Sequence, residues 1–268
     1  MKIAVGGRGG VGKTTLSALL AQTYAERGRN VLAVDMDPSP SLAEALAVPD
    51  GVRSSLRPIS EMDELIEERT GAKPGVSGGF FTINPRVDDI PDRFSVLHKG
   101  VRLLEMGRVE AGGTGCICPE SAMLRTLFTQ LLFRQDEVLM LDMYAGVEHL
   151  GRATVDFVDA MVVVVGPTRH SLTAADQIEK MARDIGLTSI GWVGNRVRNE
   201  ADLAFLADAA NGGRLLGHLP DDPSAIEADR RGEAVYEASP SLREAAAQVA
   251  DALDRLVGSK ESLAVDER

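Results

Sequence analysis

The sequence predicts an α/β protein: a doubly wound, mostly parallel sheet with helices on both faces. Three observations carry this expectation. Short apolar runs of strand length alternate with segments of helical spacing from one end of the chain to the other. Several of those runs are apolar throughout, as strands covered on both faces must be. The first run turns through a glycine-rich loop into a helix and a second run, a strand–helix–strand unit that requires parallel pairing.

Taken in order, residues 2–5 form the first buried-type strand. Residues 13–27 place Leu16, Leu19, Leu20 and Tyr24 at helical spacing, and 31–35 is a strand that closes on acidic residues. Residues 49–95 break the rhythm; they are rich in Gly, Pro, Arg and Asp, carry an apolar patch at 79–83, and read as an insertion or lid. Strands follow at 101–106, 137–142, 160–165, 189–193 and 215–219, and helices at 121–133, 172–185, 201–210 and 242–256. Together they predict one domain over 1–258, with a polar tail at 259–268 expected to fray.

The bulk numbers bound the function. With 268 residues, 44% of them hydrophobic but only 4% aromatic, the core must be built from Val, Leu, Ile and Ala. A net charge of −11 opposes binding to phosphate backbones, so no nucleic-acid partner is expected. No apolar run is long enough to span a bilayer, and the glycine-rich loop starts too early to leave room for a secretory signal. The expectation is a cytoplasmic protein without a membrane partner, in which Cys116 and Cys118 stay reduced.

The loop reads Gly7-Arg8-Gly9-Gly10-Val11-Gly12-Lys13-Thr14, with Thr15 following, and fits the phosphate-loop pattern in its required strand-to-helix setting. Glycines let successive backbone N–H groups turn toward phosphate oxygens, and the helix N-terminus adds partial positive charge. Lys13 is expected to reach the β- and γ-phosphates of ATP, and the Thr14 hydroxyl to bind Mg²⁺. Two acidic strand ends accompany the loop: Asp35-Met36-Asp37-Pro38, and Asp142 after an apolar strand. Strand C-termini in such sheets converge on the ligand crevice. Asn195 stands at the end of a later strand, and Pro220-Asp221 follows another.

Cys116 and Cys118 lie in GTGCICPE, where the glycines free the backbone to close on an ion and Pro119 suits a first helical turn. Thiolates two residues apart can aim at one metal but supply half of a four-coordinate shell; a two-fold dimer would bring four sulfurs together. Such a set suits Zn²⁺, Ni²⁺ or Cu⁺. His98, His170 and His218 have no clustered partners, and His149 reads as a hydrogen-bonding residue of the segment after Asp142. Met36, Met140 and Met143 read as core.

The double glycine after Arg8 resembles the deviant Walker A loop of the group containing nitrogenase iron protein, MinD and ParA. In that group a signature lysine reaches the partner subunit's nucleotide; here Arg8 takes its place and keeps the charge. The resemblance implies that Asp37 orients the attacking water, that Asp142 holds Mg²⁺ through water, that Asn195 reads the adenine edge, and that Pro220 and Asp221 close the base pocket. Over residues 1 to about 232 the chain is similar to the CooC family of carbon monoxide dehydrogenase accessory ATPases, through GRGGVGKTT, LAVDMDP, GGFFTINPRVDDIPD, GCICPESAMLR, LDMYAGVEHLGR, GPTRHSL, GNRV and IEADRRG. That likeness implies an ATP-favoured homodimer, a metal held by Cys116 and Cys118, and delivery of nickel to carbon monoxide dehydrogenase or a related enzyme. Tyr144 departs from it, standing where an acidic residue is expected. A reductase like the nitrogenase iron protein and a partitioning ATPase like MinD or ParA are the alternatives.

Overall fold

The computed structural model describes residues 1–75, 80–107, 118–134, 137–144, 157–210 and 214–266. Among them one eight-stranded sheet runs in the order β3-β4-β2-β5-β1-β6-β7-β8. Its strands are β1 (Lys2–Gly7), β2 (Val31–Asp35), β3 (Val96–His98), β4 (Val101–Glu105), β5 (Val138–Asp142), β6 (Ala160–Val165), β7 (Ile190–Val197) and β8 (Leu215–Pro220). All neighbours pair in parallel except β3 and β4. The doubly wound α/β expectation holds.

Alternation along each strand divides the core in two. Ala4, Leu32, Val34, Leu104, Leu139 and Leu141 join α6 (Pro119–Phe133), α7 (Arg169–Asp184) and α8 (Glu200–Ala209) on one face. Ile3, Val5, Val31, Ala33, Leu103 and Met140 join α1 (Lys13–Glu26), α10 (Val235–Ala238) and α11 (Pro240–Asp266) on the other. Leu16, Leu19, Leu20 and Tyr24 of α1 are all buried, and Tyr24 also donates a hydrogen bond to Asp254 at 3.1 Å, tying α1 to α11.

Four features differ from the sequence reading. The short edge strand β3 goes unrecognised because it has three residues; it turns into β4 through Lys99 and Gly100, both at positive φ (46° and 81°), the geometry of a tight antiparallel hairpin. β7 does not end near Val193 but continues through Asn195 to Val197. Residues 49–95 contribute α3 (Asp50–Arg53), a 3-10 turn (Ile59–Glu61), α4 (Asp63–Thr70) and α5 (Ile90–Phe94), and their Ile59, Leu65, Ile66, Val87 and Ile90 are buried in the α6 core. Of the 79–83 patch, Gly79 lies outside the described residues, while Phe80 and Ile83 are exposed. The backbone of α11 stays helical to Asp266, where a frayed tail is expected.

Candidate nucleotide site

The phosphate loop hangs from the C-terminal end of β1, in the centre of the sheet. Gly7 must be glycine: a Cβ there would meet the Val164 carbonyl of β6 at 2.8 Å. Arg8, Gly9 and Gly10 are exposed, and Val11, Gly12, Thr14 and Thr15 are half-buried. The Val11 N–H donates to the Arg8 carbonyl at 3.2 Å, and Gly12, left-handed at φ 100°, starts α1 by accepting from Leu16 N–H at 3.0 Å. Lys13 is buried, its Nζ 3.5 Å from the Arg8 carbonyl, so the ammonium folds back over the loop.

Strand register sets three carboxylates abreast beside this loop. Glu105 of β4 pairs with Asp35 of β2, which pairs with Asp142 of β5, and the side chains of register partners share a face. All three are buried. Asp142 accepts from the Ser17 hydroxyl of α1 at 3.1 Å. Burial pushes its carboxyl up to about 7 and the Asp35 charge adds to this, against the pull of the Thr14 and Ser17 hydroxyls and Lys13. Burial, with the neighbouring Asp35 and Glu61 charges, raises Glu105 to about 6. Asp35 is raised by burial too, opposed by three backbone donors: Asp37 N–H at 2.9 Å, Ser41 N–H at 2.8 Å and Leu42 N–H at 2.9 Å.

Those donors make Asp35 the residue that shapes the turn carrying Asp37. Asp37 is half-buried and accepts from Ser39 N–H at 2.8 Å. It does not cap α2 (Leu42–Ala45); Asp35 takes the Leu42 N–H that opens that helix, and the N–H of its N-cap Ser41. Ser41 brings its hydroxyl to 3.4 Å from Thr14, joining this turn to the phosphate loop. Sequence reasoning missed the roles of Asp35, Ser17 and Ser41. The signal for Ser17 was its place three residues after Thr14, on one helix face.

Asn195 also reaches the loop, donating from Nδ2 to the Val11 carbonyl at 2.7 Å. Beyond β8, Asp221 N–H donates to the Val197 carbonyl at 3.0 Å, placing Pro220 and Asp221 beside the end of β7. The next residue, Asp222, caps α9 (Pro223–Arg231) and gathers the hydroxyls of Ser224, Ser239 and Ser241, which hold its carboxyl well below the usual range. Cys118 is half-buried at the N-cap of α6; its sulfur accepts from Ser121 N–H at 3.4 Å. Cys116 and His149 lie outside the described residues. Tyr144 is exposed just past β5, and Met36, Met140 and Met143 are buried.

Comparison with known proteins identifies the family. The family described as the CobQ/CobB/MinD/ParA nucleotide binding domain matches residues 2–235. The carbon monoxide dehydrogenase accessory protein CooC of Rhodospirillum rubrum is 45% identical over 96% of this chain and 98% of its own. An uncharacterized ATP-binding protein of Methanocaldococcus jannaschii is 43% identical over 91% of this chain and 94% of its own. Among solved structures, the MinC:MinD cell division protein complex of Aquifex aeolicus superposes with a TM-score of 0.66 at 20% identity, over 96% of this chain and 95% of that one, a likeness of fold. With its phosphate loop, its buried strand-end carboxylates and these relatives, the chain belongs to the CobQ/CobB/MinD/ParA nucleotide-binding family and, within its deviant Walker A group, to the CooC ATPases.

Proposed function

We propose that this ATPase is a metallochaperone: it closes into a homodimer on ATP, holds a nickel ion on paired thiolates, and delivers it to carbon monoxide dehydrogenase or a related metalloenzyme. The observation that carries the reading is 45% identity over 96% of the chain to the carbon monoxide dehydrogenase accessory protein, in a chain that has a Cys-Ile-Cys-Pro segment. Cys118 supports it, because its half-buried sulfur stands at the N-cap of α6, beside the Cys-Ile-Cys segment that would close on the ion. Zn²⁺ is the other ion that the donor set would accept.

Lys13 would hold the β- and γ-phosphates, with the N–H groups of Gly9 to Thr15 around them. Asp37 would orient the water that attacks the γ-phosphorus, releasing ADP, and Arg8 would reach the partner's nucleotide. Asn195, Pro220 and Asp221 would border the base. The residues present fit Mg²⁺: a buried carboxyl raised to about 7, beside hydroxyls, is an all-oxygen set whose charge a hard cation would stabilise. Thr14 and, through water, Asp142 would hold that ion, which supplies positive charge to the phosphates. Among the described residues no helix is long and apolar enough to cross a membrane, and we place the protein in the cytoplasm, without a nucleic-acid partner.

Coupling requires that metal bind one nucleotide state more tightly than the other. The test is metal content per dimer with ADP, with a non-hydrolysable ATP analogue and without nucleotide, in wild type and in Cys116→Ser/Cys118→Ser. One ion per dimer, retained with the analogue and lost in the double variant, is expected. Equal metal affinity in all three nucleotide conditions would refute the mechanism.

A further inference from the structure

Asn195 occupies an irregular stretch of β7. Gly194 pairs with His218 and Val197 with Pro220, so β7 carries one residue more than β8 over this interval. Such a bulge re-aims side chains, and bulges concentrate beside functional sites. Arg196, next in the chain, is left-handed at φ 57°, a conformation that costs a non-glycine residue energy unless its surroundings hold it. Here the Asn195 amide does the holding. Its Oδ1 accepts from Arg196 N–H at 2.9 Å, and its Nδ2 donates to the Val11 carbonyl at 2.7 Å. The amide is buried and fills the space of a missing side chain: a Cβ on Gly12 would lie 2.1 Å from Nδ2.

The consequence lies in the Val11–Gly12 peptide. A trans peptide is planar, with its C=O and N–H pointing in opposite directions, and the described chain has no cis peptide. Drawing the Val11 carbonyl toward β7 therefore turns the Gly12 N–H away from β7. The Val11 N–H is spent on Arg8, whereas the Gly12 N–H has no hydrogen-bond partner among the described residues. We infer that Asn195 is a positioning residue of the phosphate loop: its amide presets the Val11–Gly12 peptide so that the Gly12 N–H meets an oligophosphate whether or not a base is attached. This rests on the nucleotide site described above and goes beyond a role in reading the base.

The two roles separate with a ligand that has no base. Binding of Mg-ATP and of Mg-tripolyphosphate is measured by calorimetry for wild type, Asn195→Ala and Asn195→Ser, the serine being too short to reach Val11. Loss of a buried hydrogen bond predicts that tripolyphosphate weakens about fivefold to tenfold and ATP by at least that factor. Circular dichroism of the buried Trp192, three residues upstream, reports whether the sheet is intact. A second measurement uses Gly12→Ala. Its methyl collides with the Asn195 amide in wild type but not in Asn195→Ala, so its penalty on tripolyphosphate binding shrinks in the double variant, while the left-handed strain is common to both backgrounds. Weakened ATP with unchanged tripolyphosphate affinity, or additive penalties, would overturn the inference. A wild type that binds neither ligand would remove the nucleotide site itself, and the inference with it.

Discussion

Asp142 shows how a single carboxyl can be costly and functional at once. It is buried against Asp35, with the Ser17 hydroxyl donating at 3.1 Å and Thr14 beside it, and its carboxyl is raised to about 7. An unfolded aspartate titrates near 4, so between pH ~4 and ~7 the folded chain holds a proton that the unfolded chain has released. Its contribution to stability is therefore fully present below about pH 4 and is lost as pH rises through about 7, by at most about 1.4 kcal/mol per unit. Glu105, raised to about 6, acts in the same direction. In Asp142→Asn the nucleotide-free protein should lose much of this dependence. Thermal midpoints at pH 5 and pH 8 check it: the drop should be larger in wild type than in the variant, and equal drops would mean that Asp142 titrates normally.

At the level of elements, what anchors the helix behind the Cys118 cap is packing against the core. α6 begins at the Cys118 cap and runs back across the sheet, and Leu127, wholly buried on it, belongs to the cluster that includes Leu124 and Ile66 of α4. Leu127→Ala leaves a cavity among residues that relax only partly. Unfolding in urea should show a loss of about 2–5 kcal/mol, with the phosphate loop, on the opposite side of the sheet from this cluster's helices, keeping its nucleotide affinity. A loss below about 0.5 kcal/mol, the scale of surface substitutions, would mean that α6 is not anchored there.

At the scale of the whole molecule, the exposed Arg8 stands on the rim of the loop with its guanidinium in no ion pair to a described residue. A side chain so placed is available to a second copy of the chain, whose phosphates its planar fork would suit. Arg8→Ala should still bind ATP while its dimer fraction falls, by light scattering with ATP analogue, and its hydrolysis should drop by about 10³-fold or more, as for an arginine acting in trans. Turnover unchanged from wild type would defeat the trans contact.

Much of this was legible in the chain itself. Strand runs of 31–35, 137–142 and 160–165, the helical spacing of Leu16, Leu19, Leu20 and Tyr24, and the glycine loop are local patterns, because burial on two sheet faces or one helix stripe repeats over a few residues. The Cys-Ile-Cys segment was equally plain, though its geometry at Cys116 falls outside the described residues. What only the tertiary structure decided was which distant groups meet. Ser17 and Asp142 are 125 residues apart, and Asn195 and Val11 are 184 apart. Asp35 reads in sequence as one acid of a pair; register makes it the middle carboxylate of three, and the turn folds three N–H groups onto it. Periodicity states which face a side chain takes, but strand order and bulges choose its neighbour across the sheet, and that choice belongs to the packing of the whole chain.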